Sequence, residues 1–366
     1  MHQYKHFIQE NISPVGARKI SVYNSKNERV GSIALGTLSP SLYEKDRLYR
    51  FCALADIQIQ EDKHPTSTTD FQRALSYANK NCDFTVIAGD LTENATIENE
   101  LADYKSLVEA YAGEKPVYAI AGNHENYSWT CKNYLETYTG TPLYYSFTKK
   151  QDIFIMVGHY GAYEEGKGWL SSEFISQEEL QWLYETLEEN RNKRCFVFIH
   201  ALPHEHGVGN PCNLYALSGR PLLWYTQDGN IGQSLISLLK HYKNTILFHG
   251  HTHTCFRLQE LDQKANYSNA NGYRSVHIPS LAEPRDWKNG ALEKETAESE
   301  GYIVDVYKDC IVLNGRDFGR YDDHIQTYKE GKWLPIAIYK IDTHLQTIPE
   351  NTFSDPTGII KNTKNS

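Results

Sequence analysis

Residues 116–125 of this chain are PVYAIAGNHE, an apolar run that ends abruptly in an amide, an imidazole and a carboxylate. Short runs rich in β-branched and aromatic residues, bounded by polar ones, predict buried strands. A strand followed directly by Asn123 and His124 presents metal-ligand atoms at one edge of a sheet. One such strand end says little, because a polar residue at a strand end is more often a satisfied structural group than a ligand.

Four further apolar runs end in the same way. They are residues 50–55 (RFCALA) before Asp56, residues 84–89 (FTVIAG) before Asp90, residues 195–199 (CFVFI) before His200, and residues 245–250 (TILFHG) before His251 and His253. Open α/β folds bind ligands at the carboxyl ends of their strands. Five such strand ends in succession predict a polynuclear metal centre at one sheet edge, although satisfied polar strand ends remain the alternative for any single histidine.

The order and spelling of these motifs resemble the calcineurin-like metallophosphoesterases. The matching motifs are Asp56-x-Gln58, Gly89-Asp90, Gly122-Asn123-His124-Glu125, a lone His200, and Gly250-His251-Thr252-His253. The resemblance implies an α/β fold, a four-layer αββα sandwich of two stacked sheets flanked by helices. An N-terminal β-hairpin and a β-rich C-terminal extension would be added to it here.

The resemblance also implies the ligands of two divalent metal ions. Site one would be Asp56, Gln58, Asp90 and His253, and site two would be Asp90, Asn123, His200 and His251. Two cations ~3.5–4 Å apart neutralise phosphate oxygens and generate hydroxide at neutral pH. A bridging carboxylate at Asp90 would suit that spacing. In the family the histidine of Gly-Asn-His is catalytic and not a ligand, so His124 would stabilise charge on the phosphate or donate a proton to the leaving oxygen.

Gln58 departs from the family pattern, which usually has Asp-x-His. An amide oxygen is a harder and weaker ligand than imidazole, which favours Mn²⁺ over Zn²⁺, with Fe, Zn, Mg and Ni as alternatives. Asp-x-Gln resembles the manganese-dependent ADP-ribose/CDP-alcohol pyrophosphatases at two motifs. Glu93 and Glu125 are candidates for orienting the histidines. His64, beside Pro65, is expected on the surface, and the alternative is that it loops back to replace the missing histidine ligand.

Two stretches rich in loop-forming residues are candidate loop insertions near the metals. Residues 204–230 follow the His200 strand and supply the expected substrate-binding residues His204, Arg220 and Trp224. Residues 266–289 follow the His253 strand. Long loops without secondary structure are usually functional or disordered. A surface excursion whose aromatic rings pack underneath is the competing interpretation.

The chain divides into four predicted parts. Residues 1–48 form an N-terminal β-hairpin extension, residues 49–318 the metallophosphoesterase core with its two loop insertions, residues 319–349 a β-hairpin extension and residues 350–366 a frayed tail. Helical spacing predicts helices over residues 68–81, 97–111, 176–188 and 229–242, the third with a Ser-x-x-Glu capping box.

The charge and hydrophobicity of the sequence limit which partners and locations are expected. The net charge of −9 argues against a general nucleic-acid surface. No secretory signal or membrane-span pattern is visible, so a cytoplasmic location is expected, with virion association open. The predicted function is hydrolysis of a small phosphodiester or pyrophosphate by metal-activated hydroxide. A phosphomonoesterase, a nuclease, and a non-catalytic or assembly-bound scaffold remain alternatives. The sequence does not indicate the oligomeric state.

Overall fold

The structure is a computed structural model. It describes residues 18–23, 29–35, 46–60, 62–94, 100–126, 136, 140–164, 168–201, 230–256, 266–269, 272–288, 291–295, 299–319, 321–322, 327–328 and 331–361. The predicted substrate residues His204, Arg220 and Trp224 lie outside these ranges, so the substrate assignments stay predictions.

Twenty strands and four α-helices follow one another along the described chain. The first ten strands are β1 (Arg18–Tyr23), β2 (Arg29–Leu35), β3 (Tyr49–Leu54), β4 (Phe84–Ile87), β5 (Val117–Ala119), β6 (Tyr144–Lys149), β7 (Asp152–Val157), β8 (Tyr160–Glu164), β9 (Gly168–Phe174) and β10 (Cys195–Ile199). The others are β11 (Thr245–His249), β12 (Tyr267–Ser268), β13 (Arg274–His277), β14 (Arg285–Lys288), β15 (Ala291–Glu295), β16 (Glu300–Val306), β17 (Cys310–Asp317), β18 (Tyr321–Asp322), β19 (Thr327–Tyr328) and β20 (Lys332–Asp342). The helices are α1 (Ser67–Asn81), α2 (Ala102–Tyr111), α3 (Gln177–Glu189) and α4 (Asn230–His241).

Two six-stranded mixed sheets form the centre of the molecule. Sheet I has the order β20-β17-β16-β3-β4-β5, and sheet II has the order β12-β13-β11-β10-β7-β6. Strands β3, β4 and β5 are parallel neighbours in sheet I. Strands β7, β10, β11 and β13 are parallel neighbours in sheet II. The carboxyl ends of each parallel set therefore lie along one edge of its sheet.

The two sheets pack face to face through an aromatic core. Phe51 of β3 and Phe84 of β4 contact Phe154 of β7, and Phe51 also meets Phe196 of β10 at 5.8 Å between ring centroids. These four residues are almost completely buried. Alternate residues of the same strands point outward, where α1 and α2 cover sheet I and α3 and α4 cover sheet II. The predicted four-layer αββα sandwich is confirmed.

Three of the four helices, α1, α3 and α4, begin and end within one residue of the predicted bounds. At α3, Ser176 Oγ accepts the Glu179 backbone N–H while the Glu179 carboxylate accepts the Ser176 backbone N–H, which is the predicted capping box. Within the described residues α2 begins at Ala102, later than predicted. The predicted N-terminal strand pair is observed as β1 and β2, which are antiparallel.

Residues 266–289 are not a loop insertion. The parallel strand β13 lies beside β11 inside sheet II, and β12 continues that sheet to its edge. Val276 and Ile278 are fully buried in the core between the sheets. The prediction failed because the four-residue strand β13, which follows the asparagine-rich residues 266–272, is too short to show an apolar periodicity.

The C-terminal boundaries also differ from those predicted. Strand β20 is not part of a separate hairpin, because it pairs with β17 and extends sheet I. Residues 350–361 are not frayed. Phe353 and Ile360 pack with the helices that cover sheet II, and the Asp355 carboxylate accepts hydrogen bonds from Ser234 and the Ile360 N–H. These apolar residues are too widely spaced in a polar segment to predict packing from sequence.

Candidate metal centre

The predicted ligands meet at the common edge of the two sheets. Asp56, Asp90 and Asn123 follow β3, β4 and β5, while His200 follows β10 and both His251 and His253 follow β11. All but His251, which is partly exposed, are buried. Ligand atoms carried by five separate strands are brought together because the carboxyl ends of the parallel strands coincide.

Polar contacts across the sandwich fix these loops to one another. The His251 backbone N–H donates to both carboxylate oxygens of Asp56, at 3.1 and 3.0 Å. The His200 Nδ1–H donates to the Ala88 carbonyl oxygen at 2.6 Å. Each bond joins a loop of sheet II to a loop of sheet I. The site therefore depends on the packing of the two sheets and not on either one alone.

The ligand atoms form two overlapping groups. Asp90, His200 and His251 present atoms that all lie within 4.8 Å of one another, and so do Asp56, Asp90 and His253. Asp90 is common to both. Asn123 belongs with the first group, since its Oδ1 is 2.8 Å from His251 Nδ1 and 3.1 Å from His200 Nε2. The first group falls within predicted site two and the second within predicted site one, and the division of ligands between two ions stays a prediction.

The electrostatics of the centre indicate a place for positive charge. Because His200 Nδ1 donates its proton to Ala88, a neutral ring turns its Nε2 lone pair toward oxygens of Asp90 and Asn123, at 3.0 and 3.1 Å. Burial alone would lower the pKa of His200, but the Asp90 and Asp56 carboxylates raise it to about 10. Burial likewise opposes ionisation of Asp90, yet His200 and His124 hold the pKa of Asp90 well below its usual range. A divalent cation would satisfy these atoms without that extra proton.

Gln58 fits the part of a metal ligand. Its side chain is buried, and its Oε1 atom has no hydrogen-bond partner among the described residues. Buried polar atoms are nearly always paired, and a cation would supply the partner that this amide oxygen lacks. Its Nε2 atom lies 3.4 Å from His124 Nε2.

The backbone carries a signal that sequence patterns missed. Seven non-glycine residues in the described ranges have positive φ, and five of them are predicted ligands: Asp56, Gln58, Asp90, His251 and His253. The left-handed region costs an L-residue on the order of 1–2 kcal/mol. Such strain collects at functional sites, where the surrounding structure holds it in place.

Two glycines of the motifs are required by close approach. A Cβ at Gly250 would lie 2.5 Å from Asp56 Oδ2. A Cβ at Gly122 would lie 2.5 Å from the Asp90 backbone nitrogen and would also clash with the Asp90 carboxylate. The glycine before each ligand cluster therefore lets a loop of one strand approach the ligand of another.

His124 lies beside the ligands on the more open side of the centre. Its Nδ1–H donates to the Glu93 carbonyl oxygen at 2.6 Å, and its Nε2 lies 3.7 Å from Asp90 Oδ2. Glu125 is hydrogen-bonded to the backbone of the neighbouring loop. Its carboxylate accepts the backbone N–H groups of Gly122, Asp90, Leu91 and Thr92, which fixes the loop that carries Asp90.

Other polar residues near the centre were misjudged or missed. His64 is buried, not on the surface, with its Nε2 3.1 Å from Glu93 Oε2. Glu283, which no motif singled out, has a carboxylate oxygen 3.4 Å from His253 Nδ1. It follows Ser280, whose hydroxyl donates to the Asp56 carbonyl oxygen. Glu283 was missed because it lies in the stretch predicted to be a loop insertion.

The sequence profile of the calcineurin-like phosphoesterases matches residues 49–255, which include every predicted metal ligand. The match covers more than half of the chain, and the chain belongs to this family. No curated protein matches it by sequence at a significant level.

The solved structures similar to this chain share little sequence with it. A purple acid phosphatase, PPD1, from yellow lupin (Lupinus luteus) seeds has a TM-score of 0.51 at 15% identity, covering 77% of this chain and 53% of the lupin chain. GAP50, the anchor in the inner membrane complex of Plasmodium, has a TM-score of 0.47 at 15% identity, with 84% and 91% covered. Vacuolar Protein Sorting 29 from Cryptosporidium parvum has 0.37 at 11% identity, with 80% and 98% covered. The lupin structure supports the shared fold, and this chain spans about half of its length.

Among the described residues, no helix combines the length and apolar character needed to cross a membrane.

Proposed function

We propose that this chain is a binuclear metal-dependent phosphoesterase that hydrolyses a small phosphodiester or pyrophosphate. The observation that carries the proposal is the pair of ligand groups sharing Asp90. Binuclear phosphoesterases need an anionic group between their two cations, and Asp90 is the only residue common to both groups. The second carboxylate, Asp56, belongs to the group that contains His253. It accepts a hydrogen bond from the His251 backbone N–H.

The side chains would divide the work between binding and proton transfer. Two bound cations would supply charge neutralisation at the phosphoryl oxygens and a nucleophile at neutral pH. His124 donates its Nδ1–H to the Glu93 carbonyl oxygen, and its Nε2 atom faces the centre. With a second proton on Nε2, the imidazolium so placed would stabilise negative charge on the phosphoryl group or give that proton to the leaving oxygen.

The test is hydrolysis of a panel of phosphoesters with and without added Mn²⁺. The panel holds bis-p-nitrophenyl phosphate, p-nitrophenyl phosphate, ADP-ribose, CDP-choline, cyclic nucleotides and an oligonucleotide. We expect metal-dependent activity in the wild type and a loss of at least about 10³-fold in Asp90→Asn. Asp305→Asn, which alters a carboxylate paired with Arg50 on sheet I, is the matched control and should retain activity. A metal-loaded wild type that is inactive on the whole panel would leave a non-catalytic role.

We propose Mn²⁺ as the preferred metal, because Gln58 offers an amide oxygen where most of the family has imidazole. Gln58→His should raise Zn²⁺ affinity and shift the metal preference of the reaction toward Zn²⁺. Titration with each metal, followed by activity and by metal content, measures both. An unchanged metal profile in Gln58→His would show that Gln58 is not a ligand.

We propose that diesters or pyrophosphates are preferred over monoesters, with residues 204–230 contacting the second substituent. Arg220 has the planar fork that suits paired phosphate oxygens, and the Trp224 ring could stack a base for about 1–3 kcal/mol. His204 would contact the substrate near His200. Kinetics of Arg220→Ala and Trp224→Ala on a diester and a monoester test this. Unchanged diester-to-monoester ratios in stable variants would remove this loop from substrate selection.

A further inference from the structure

We infer that His64 is a positioning residue for the catalytic histidine His124, acting through Glu93. The inference rests on the proposed function and adds a residue to its site. His64, Glu93 and His124 lie on the loops that follow β3, β4 and β5, the three parallel neighbours of sheet I. Glu93 stands between the two histidines and contacts both.

The contacts connect His64 to Glu93 and Glu93 to His124. His64 Nε2 lies 3.1 Å from Glu93 Oε2, and both side chains are only 5% exposed. On its other side Glu93 receives the His124 Nδ1–H at its carbonyl oxygen, 2.6 Å away, and its carboxylate Oε2 lies 3.5 Å from the same nitrogen. The orientation of the His124 ring thus depends on where the Glu93 backbone and carboxylate are held.

His64 is well suited to hold Glu93. Its backbone N–H donates to the Gln60 carbonyl oxygen at 2.7 Å, and its own carbonyl oxygen accepts the Ser67 N–H at 3.0 Å. This places it in a hydrogen-bonded turn directly before α1. A ring fixed in that turn gives a buried carboxylate a donor at a set position, which such a carboxylate requires.

The charge around Glu93 agrees with this role. Lys63 also contacts the carboxylate, but its side chain is largely exposed. Burial alone would raise the pKa of Glu93, whereas the hydrogen bond from His64 and the charge of His124 lower it overall. Glu93 is therefore an ionised acceptor between two imidazoles. His64 supplies its buried donor and Lys63 only a solvated one.

Kinetics of paired His64 variants test the inference. His64→Gln keeps an N–H near the position of Nε2, whereas His64→Leu removes it at similar size. We expect His64→Leu to lower kcat about tenfold with KM changed less than about twofold and metal content unchanged, and His64→Gln to restore most of kcat. The control is His241→Leu on α4, which loses the hydrogen bond between His241 and Thr352. If His64→Leu does not fold, His64→Asn, whose shorter amide does not reach Glu93, replaces it.

A double-mutant cycle tests whether the effect passes through Glu93. Adding His64→Leu to Glu93→Ala should lower kcat by less than twofold further, because the side chain that His64 holds is already absent. Independent, multiplicative losses would overturn the proposed connection. So would a wild-type kcat in His64→Leu.

Nuclear magnetic resonance of the metal-free protein gives a readout that does not need activity. With ¹⁵N-labelled histidine, the His124 ring, assigned by its loss in His124→Ala, should be the Nδ1–H tautomer with a slowly exchanging proton. In His64→Leu that proton should exchange faster or the tautomers mix, and in His64→Gln it should be kept. An unaltered His124 signal in His64→Leu would overturn the inference, even if the wild type proved inactive and the proposed function failed.

Discussion

At the scale of single residues, the sequence predicts which side chains meet at the centre but does not predict their backbone conformations. Asp56, Asp90 and His251 were predicted from their place after apolar runs. Their positive φ angles were not, because aspartate and histidine, although enriched in this region, adopt it in only a small fraction of their occurrences. The side chain needed for chemistry has been kept where the backbone prefers glycine.

That strain predicts a reversed glycine–alanine difference at Gln58. At φ 46°, glycine avoids a penalty of about 1–2 kcal/mol, offset in part by about 0.5–1 kcal/mol of unfolded-chain entropy. In chelator, Gln58→Gly should therefore unfold at higher denaturant than Gln58→Ala.

The control for this comparison is Gln72 in α1, a right-handed helical position. There Gln72→Ala should be more stable than Gln72→Gly by about 1 kcal/mol. Urea unfolding of all four variants gives the two differences. The same sign at both positions would show that the Gln58 backbone is not strained in the metal-free protein.

The limits of sequence interpretation are also visible at single residues. The five motifs located the centre because each ligand follows a recognisable strand. His64 was misplaced and Glu283 missed because their roles come from contacts between loops distant in sequence. Glu93 and Glu125 look alike as acids near a motif, yet one contacts a histidine and the other fixes backbone N–H groups. Only the three-dimensional arrangement separates them.

At the scale of elements, β11 and β13 support the Gly-His-Thr-His loop through buried histidines. His277 on β13 accepts an N–H from Asn266 at Nδ1, so its proton lies on Nε2, 2.8 Å from the Thr252 hydroxyl. A proton on Nδ1 would face that amide N–H. Burial, together with nearby His249, lowers the pKa of His277 well below its usual range. The neutral ring is thus part of the fold.

This predicts acid destabilisation that depends on His277. Because its pKa is depressed in the folded state, the unfolded chain binds an extra proton below about pH 6.5, its unfolded pKa. As the pH is lowered, the free energy of unfolding should then decrease by up to about 1.4 kcal/mol per pH unit for this group. Urea unfolding in chelator from pH 7 to pH 5 should show a shallower fall in His277→Gln than in the wild type. Equal slopes would contradict a neutral buried His277.

The C-terminal segment is the second element whose role was not apparent in sequence. Phe353 contacts the rings of Tyr184 on α3 and His241 on α4, and its side chain is buried among them. The segment therefore closes the outer face of sheet II, on the side of that sheet away from the core. Its polar composition hid this, because Phe353, Ile359 and Ile360 are too few and too irregularly spaced to make a pattern.

Phe353→Ala should lower the free energy of unfolding by about 3 kcal/mol, the lower end for a buried phenylalanine. The variant should keep kcat per folded molecule, since the segment touches no predicted ligand. Denaturant unfolding and the activity of folded protein measure the two effects. Leu345→Ala, at a half-exposed position just before the segment, is the control and should change stability by less than about 0.5 kcal/mol. A Phe353→Ala protein as stable as this control would mean that the segment is not docked.

At the scale of the whole molecule, the candidate metal centre depends on how the two sheets pack against each other. Each ligand group draws residues from both sheets, and the His200 and His251 bonds cross between them. The opposite edge is joined by a buried contact in which Arg194 donates to the Asp152 carboxylate at 2.6 Å, and Tyr49 donates to the same oxygen. Polar contacts thus join the two sheets at both edges, and at one of them the contacts involve the candidate metal ligands.

Metal binding should therefore stabilise the whole fold and not a local loop. A ligand at 100 times its Kd that binds only the folded state adds about 2.7 kcal/mol per site. The Tm of metal-free protein should rise with the logarithm of Mn²⁺ concentration. His253→Ala should remove the contribution of one site, and Asp90→Asn should remove most of both. Asp305→Asn, far from the ligands, should lower the starting Tm but keep the full increase. An increase in Asp90→Asn equal to that of the wild type would show that the ions bind elsewhere.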